Sequence, residues 1–134
     1  MSVSLTADDL YTFIGLTFER SFSDEKIAPK LSNLDGIIKV VTTDPDGVLL
    51  MDLPNHRAGQ GNYDDAADAT LTMSCEVANR FWQGDVNLLV AVNNKSIGLE
   101  GKMATLVMAL PATKHMFPVY IEVLKNAGRD DLLV

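Results

Sequence analysis

Few residues in this chain of 134 have the chemistry to act as catalysts or metal ligands. The histidines are His56 and His115, and the cysteine is Cys75. A helical zinc pair needs two histidines four positions apart, and these two are far from each other. Neither stands beside a nucleophile in a Gly-x-Ser-x-Gly setting, and Cys75 has no local signature around it. One cysteine also excludes an internal disulfide and any multi-cysteine zinc site. Asp8 with Asp9, Asp64 with Asp65 and Asp130 with Asp131 are adjacent carboxylates, each in polar surroundings that read as solvated charge. The stretch Asn62–Asp68 lacks the alternating ligands and closing glutamate of a calcium loop. Gly59-Gln60-Gly61 opens no helix and has neither a third glycine nor a following Ser or Thr, so it is a poor phosphate cradle. An enzyme would need a buried, perturbed titratable group, and only Asp52 and Glu100 sit among enough apolar residues to be candidates. No catalytic residue, metal ligand or cofactor site is assigned, and the chain is read as a non-enzyme.

Charge narrows the partners. Eighteen acidic against eleven basic residues leave a net charge of -7, which argues against nucleic acid and against docking on anionic lipid by charge alone. The length suits one domain, 1–134, large enough to bury its own core. Residues 1–15 show no positive segment followed by a long apolar block, and the longest apolar runs, Leu88–Val92 and Leu106–Leu110, are too short to span a bilayer. With a single free cysteine, this points to the cytoplasm.

The elements that must position these residues are legible in the pattern. Ala7–Arg20 reads as a helix capped by Thr6, with Leu10, Phe13, Ile14, Thr17 and Phe18 on one face. A short helix is expected over Asp24–Leu31, where Pro29 fits poorly. Ile37–Thr43 and Gly47–Leu53 form a hairpin through Asp44-Pro45-Asp46-Gly47, the second strand apolar on both faces and therefore interior. A short edge strand is expected near Gly59–Tyr63, and Ala69–Ser74 alternates as a half-buried strand. Ser74 caps a helix over Glu76–Gln83 that ends at Gly84. Helix Val86–Val92, strand Ser96–Glu100 closed by Gly101, helix Lys102–Leu110 stopped by Pro111, and helix Thr113–Ala127 ended by Gly128 complete the order.

Helices Val86–Val92 and Lys102–Leu110 have almost no polar face. Such helices must be buried on every side or must line an apolar cavity. Composition alone, 47% hydrophobic, fits a two-sided core. The order of elements, together with the strand Asp68-Ala69-Thr70-Leu71-Thr72-Met73-Ser74, Gly84, Asn87, Gly101 and the helix Met103–Leu110, resembles the sterol-carrier-protein-2 family from Gly36 to Pro111. The sequence departs from the family pattern at Lys95-Ser96, at Leu88 and in the polar stretch Pro54–Asp68.

The resemblance implies an α+β fold, with a five-stranded, mostly antiparallel sheet covered on one face by helices and an apolar tunnel between them. Residues 1–35 supply leading helices, 36–111 the family-matching part, and 112–134 an extra C-terminal helix. It also implies non-catalytic binding and transfer of a sterol, fatty acid or fatty acyl-CoA. Carried over by position, the lining is Phe81, Leu89, Val92, Ile97, Leu99, Met103, Leu106 and Val107, with Leu110 near the mouth and Met116 and Phe117 as a lid. Lys95, Lys102 and Lys114 are candidates to meet a charged headgroup, although exposed lysines ordinarily just face solvent. Membrane contact would be transient. The alternative is a dimerising interaction module without lipid, using the open sheet face or the terminal helix.

Overall fold

The chain enters helix α1 (Ala7–Ser23) through Thr6. The Thr6 hydroxyl accepts from the Asp9 amide at 3.1 Å, and the Asp9 carboxylate accepts from the Thr6 amide at 3.0 Å. This exchange satisfies donors that a helix start otherwise leaves open, and Asp8 and Asp9 face the positive end of the helix dipole. The computed structural model describes residues 5–32 and 34–134. Residues 1–4 and Asn33, part of the leading segment of the sequence reading, lie outside the described residues.

Leu10, Phe13, Ile14, Thr17, Phe18 and Ser21 are the buried face of α1. The helix continues past the expected end at Arg20 through Ser21, whose buried hydroxyl has no partner among the described residues, to Phe22, which stacks flat on His56 with ring centroids 4.0 Å apart. The helix expected over Asp24–Leu31 is a turn followed by a 3-10 segment, Ala28–Leu31. The Asp24 carboxylate captures the amides of Lys26 and Ile27 at 2.8 and 3.1 Å, a local alternative to α-helical pairing.

Five strands follow: β1 (Ile37–Thr43), β2 (Gly47–Asp52), β3 (Arg57–Gln60), β4 (Ala69–Ser74) and β5 (Gly98–Gly101), in spatial order β3-β2-β1-β4-β5. β1 pairs antiparallel with β2, setting Val40 opposite Leu49, and parallel with β4, setting Val40 opposite Leu71. β3 and β5 complete the edges in antiparallel pairing. Ile38, Val40 and Thr42 of β1 and Ala69, Leu71 and Met73 of β4 are buried on the helix side. A one-residue slip would turn this whole set outward, so burial itself holds the register. The edge strand begins two residues earlier than expected. The stretch after it crosses back over Lys39, whose ammonium donates to the carbonyls of Tyr63 and Asp65 at 2.8 and 2.9 Å.

Helix α2 (Cys75–Phe81) starts at Ser74, whose hydroxyl accepts from Val77 N–H at 3.1 Å. Helix α3 (Leu88–Asn93) starts at Asn87, whose side-chain oxygen accepts from Val90 N–H at 3.1 Å. Gly101 closes β5 at φ +95°, and a Cβ there would lie 2.5 Å from the Asp68 carbonyl oxygen, so only glycine fits. Helix α4 (Met103–Thr113) does not stop at Pro111, contrary to the sequence reading. Proline removes a single amide donor, and the carbonyl it frees is that of the solvent-facing Val107, where water can replace the bond. The Thr113 hydroxyl secures the last turn by donating to the Ala109 carbonyl at 2.7 Å. A 3-10 turn, Lys114–Met116, leads into α5 (Phe117–Asn126), which packs on α1. The single helix expected over Thr113–Ala127 is thus two elements.

Tyr120 of α5 is wholly buried, and its hydroxyl donates to the Asn79 side-chain oxygen at 2.7 Å. The Asn79 amide donates in turn to the Leu132 carbonyl at 2.9 Å. Burial, reinforced by the charge of Asp9, pushes the phenol above its ordinary range. A raised phenol makes the folded state hold its proton more tightly than the unfolded chain does. That stability is complete below the free-phenol value of about 10 and is lost as pH rises through the folded value. Tyr120→Phe leaves the buried Asn79 oxygen unpartnered. Urea denaturation at neutral pH should show a loss of about 1–3 kcal/mol. The variant's stability should also fall less steeply between neutral and strongly alkaline pH than the wild type's.

Candidate functional site

The helices close over the sheet on apolar side chains, and three adjoining spaces lie in this packing, apart from two more polar surface clefts of ≈ 310 Å³ beside Asp68 and Lys102 and ≈ 430 Å³ beside Cys75 and Asp131. A cavity of ≈ 40 Å³ lies between Ile38, Met51 and Leu71 of the sheet and Phe18, Phe81, Trp82, Leu88, Leu106, Leu110 and Met116 of the helical layer. Thr113 is the one hydroxyl in its wall, and that hydroxyl is engaged by Ala109. A second void of ≈ 20 Å³ lies deeper, against Leu10, Val40, Leu49 and Met73. Outside them runs a groove of ≈ 480 Å³ between α3, α4 and the start of α5, lined by Phe81, Gly84, Val86, Asn87, Leu88, Leu89, Val107, Leu110, Pro111, Lys114 and Phe117. Small-molecule sites usually measure about 300–1,000 Å³, so the groove has the size of a ligand site and the inner voids do not.

Phe81 and Leu88 touch all three spaces, and Leu110 touches both the groove and the larger void. These three side chains are the partition between outside and inside. An aromatic cluster holds them from behind. Trp82 meets Phe81, Phe18, Tyr120 and Phe117 at centroid distances of 5.8, 6.0, 6.2 and 6.3 Å. Phe117 also meets Phe81 edge-on at 5.5 Å. Its ring rests over Gly84, which has φ +81° and where a Cβ would come within 3.2 Å of that ring. Glycine therefore both turns the chain after α2 and leaves room for the aromatic contact.

The residues proposed from sequence divide into groups. Phe81, Leu106, Leu110 and Met116 line the larger void, while Phe81, Leu89, Val107, Leu110 and Phe117 line the groove. Val92 and Leu99 pack against the core, Ile97 is inside it, and Met103 is exposed; none of these four lines either space. Trp82, Leu88 and Phe18 are lining residues that the sequence reading missed. Phe18 lay on the apolar stripe of the first helix and could have been found there. Trp82 lay inside the expected helix Glu76–Gln83 and continues the spacing of the buried Cys75, Ala78 and Asn79, so helical periodicity could have found it as well.

The outer faces of α3 and α4 correct one expectation. Leu89, Val90, Met103, Val107 and Met108 are exposed, so these helices are neither buried all round nor turned wholly to a cavity. Each packs one face inward, through Leu88 and Ala91 and through Leu106, Ala109 and Ala112, and leaves the other in water.

The reactive groups stand apart from this space. Cys75 is buried, with Sγ 3.3 Å from the Pro45 carbonyl oxygen. Burial above all pushes its thiol up, against the opposing effect of Thr42, and nearby Asp44 and Asp46 push it further, so it stays protonated at neutral pH. His56 is occupied by Phe22, and His115 is exposed. Asp52 accepts from the Asn55 side chain at 2.8 Å, and Glu100 is exposed. Asp9 and Asp131 both hold Arg129, at 3.3 and 3.1 Å, so two of the acidic pairs join the start of α1 to the C-terminal segment. Among the described residues, no three His, Cys, Asp or Glu side chains stand together as a metal site.

Comparison with known proteins agrees with this architecture. The family model of the SCP-2 sterol transfer family matches residues 17–111, from within α1 to Pro111. The sterol carrier protein domain 2 of Helicoverpa armigera is similar at TM-score 0.64 and 17% identity, covering 88% of this chain and 96% of that one. The apo form of sterol carrier protein 2 from Yarrowia lipolytica is similar at TM-score 0.64 and 16% identity, covering 87% and 98%. Sterol carrier protein 2 of Aedes aegypti, solved in complex with palmitate, is similar at TM-score 0.54 and 23% identity, covering 74% and 96%. No curated protein sequence is a significant match. At these identities the neighbours speak for the fold alone. The family match spans most of that fold, and the chain belongs to the SCP-2 sterol transfer family.

Proposed function

We propose that the protein binds and carries an apolar lipid, a sterol, fatty acid or fatty acyl-CoA, without chemically changing it. The observation that carries this reading is the groove of ≈ 480 Å³ that shares Phe81, Leu88 and Leu110 with an inner apolar cavity. A lipid tail laid in the groove would reach the interior by displacing these side chains. Its contacts would be Phe81, Leu88, Leu89, Val107, Leu110 and Phe117 outside and Trp82, Leu106 and Met116 inside. Each buried methylene contributes about 0.8 kcal/mol, so a tail of ordinary length binds without many polar contacts. Lys114 lines the groove, which supports it as the partner of a carboxylate or phosphate headgroup. The palmitate held by the Aedes aegypti relative supports an acyl chain as one occupant.

The test has two parts. Purified protein is extracted with organic solvent for mass spectrometry. Delipidated protein is then titrated with a fluorescent fatty acid and challenged with palmitate. An unmodified lipid in the extract and displacement at micromolar concentration are expected. If no lipid is recovered and the probe does not bind, the reading is wrong.

A further inference from the structure

The exposed residues of α4 are Met103, Ala104, Val107, Met108 and Pro111, and none of them is polar. Leu89 and Val90 of α3 extend this surface, and Leu89 shares the groove with Val107. Among the described residues, the other exposed large hydrophobics are Tyr63 and Val134. An apolar face this concentrated marks an interaction site. Its charges are as distinctive. Lys102 immediately precedes α4, Lys114 and His115 immediately follow it, and Lys95 follows α3, all exposed. Across residues 86–121 the only acidic residue is Glu100, in a chain whose net charge is -7, and the carboxylates that reach the face from other elements are Asp35 and Asp68, in the cleft beside Lys102 and Met108.

We propose that α3 and α4 form a docking face for a membrane surface bearing anionic headgroups. A helix with an apolar face and lysines at its ends lies in the plane of a bilayer, its apolar side sunk about 5–10 Å and its ammonium groups reaching the phosphates. Lys102 sits 3.7 Å from Asp68 yet keeps 73% of its side chain in solvent, so it remains available. The acidic remainder of the molecule does not forbid contact. Screening acts over about 8 Å at physiological salt, less than the domain's radius of gyration of roughly 14 Å. A second copy of the chain fits this face less well, because a two-fold contact through it would bring lysines against lysines. No helix among the described residues is long and apolar enough to cross a membrane, so the contact is superficial. Net charge argued against anionic lipid, but its uneven distribution reverses that conclusion for this one face.

The experiment is flotation of the full chain with vesicles of phosphatidylcholine alone and of phosphatidylcholine mixed with phosphatidylglycerol. Binding to the mixed vesicles is expected, weakening as salt rises. Lys95→Gln with Lys102→Gln should weaken it by roughly 25-fold, about fivefold for each lysine. Val90→Ser with Met108→Ser should abolish it while leaving titration by the fluorescent fatty acid unchanged, since neither residue lines the groove. Absence of flotation with mixed vesicles overturns the proposal, as does flotation that ignores both double variants. A concentration-dependent dimer that Val90→Ser with Met108→Ser dissolves also overturns it and assigns the face to a second copy. Flotation without probe binding would keep the docking face and remove the groove reading, so the two fail separately.

Discussion

Replacing Trp82 with alanine is expected to lower the unfolding free energy by about 3–5 kcal/mol, the largest stability change of any single substitution considered. Trp82 is 4% exposed and contacts four aromatic rings from α1, α2 and α5. Truncation removes the transfer energy of the indole and leaves a hole beside voids that already exist. The surrounding rings are held by three different helices and cannot all collapse into it. The cavity cost therefore adds to the transfer cost rather than being relaxed away. Urea denaturation followed by circular dichroism measures this directly. Trp82→Phe should cost clearly less, because a ring remains to meet Phe18 and Phe117. Equal losses for the two variants would mean that the cluster is not the keystone described.

Leu110→Asn is expected to weaken fatty-acid binding by roughly 100-fold, about 3 kcal/mol, with a smaller effect on stability. Leu110 is half-buried and stands where groove and cavity meet. Asparagine has nearly the same shape, so a change in binding would not come from blocking the passage. It would come from losing an apolar contact and from covering an unpartnered amide with lipid. The amide is uncharged and forms no new ion pair with Lys114, four residues on. Probe titration and palmitate displacement read the result, with melting curves as the check on folding. Wild-type affinity in this variant would remove Leu110, and the passage it guards, from the path of the ligand.

Local chemistry made much of the scaffold readable. Thr6 and Ser74 each accept from an amide at a helix start as expected, because a short polar side chain before an apolar run has few better partners, whereas Asn87 caps α3 although the expected helix Val86–Val92 had it inside. β1 and β4 match the expected ranges residue for residue, since alternation with period two leaves one way to bury an apolar face. Element ends were less legible. α1 runs on past Arg20 through the buried Ser21 to Ser23, where Phe22 finds His56 from a distant loop. Pro111 is tolerated because the carbonyl it orphans faces water. Neither fact is present in the residues nearby.

Sequence by itself determined the succession of helices and strands, the two helices with too little polar surface, and the resemblance that named the family. Only the tertiary structure decided which sides of those helices look inward. Helix α4 is apolar around nearly its whole circumference, so no periodicity could orient it. Packing against β4 and the 3-10 segment Ala28–Leu31 sets Leu106 and Ala109 inside and leaves Met103, Val107 and Met108 in water. The same packing separates the expected lining into a void, a groove and the partition of Phe81, Leu88 and Leu110. Spacing along the chain was enough to read His56, His115 and Cys75 as belonging to no recognised motif. The apolar residues could not be sorted that way, because burial depends on what lies opposite, and the chain folds distant segments against one another to supply it.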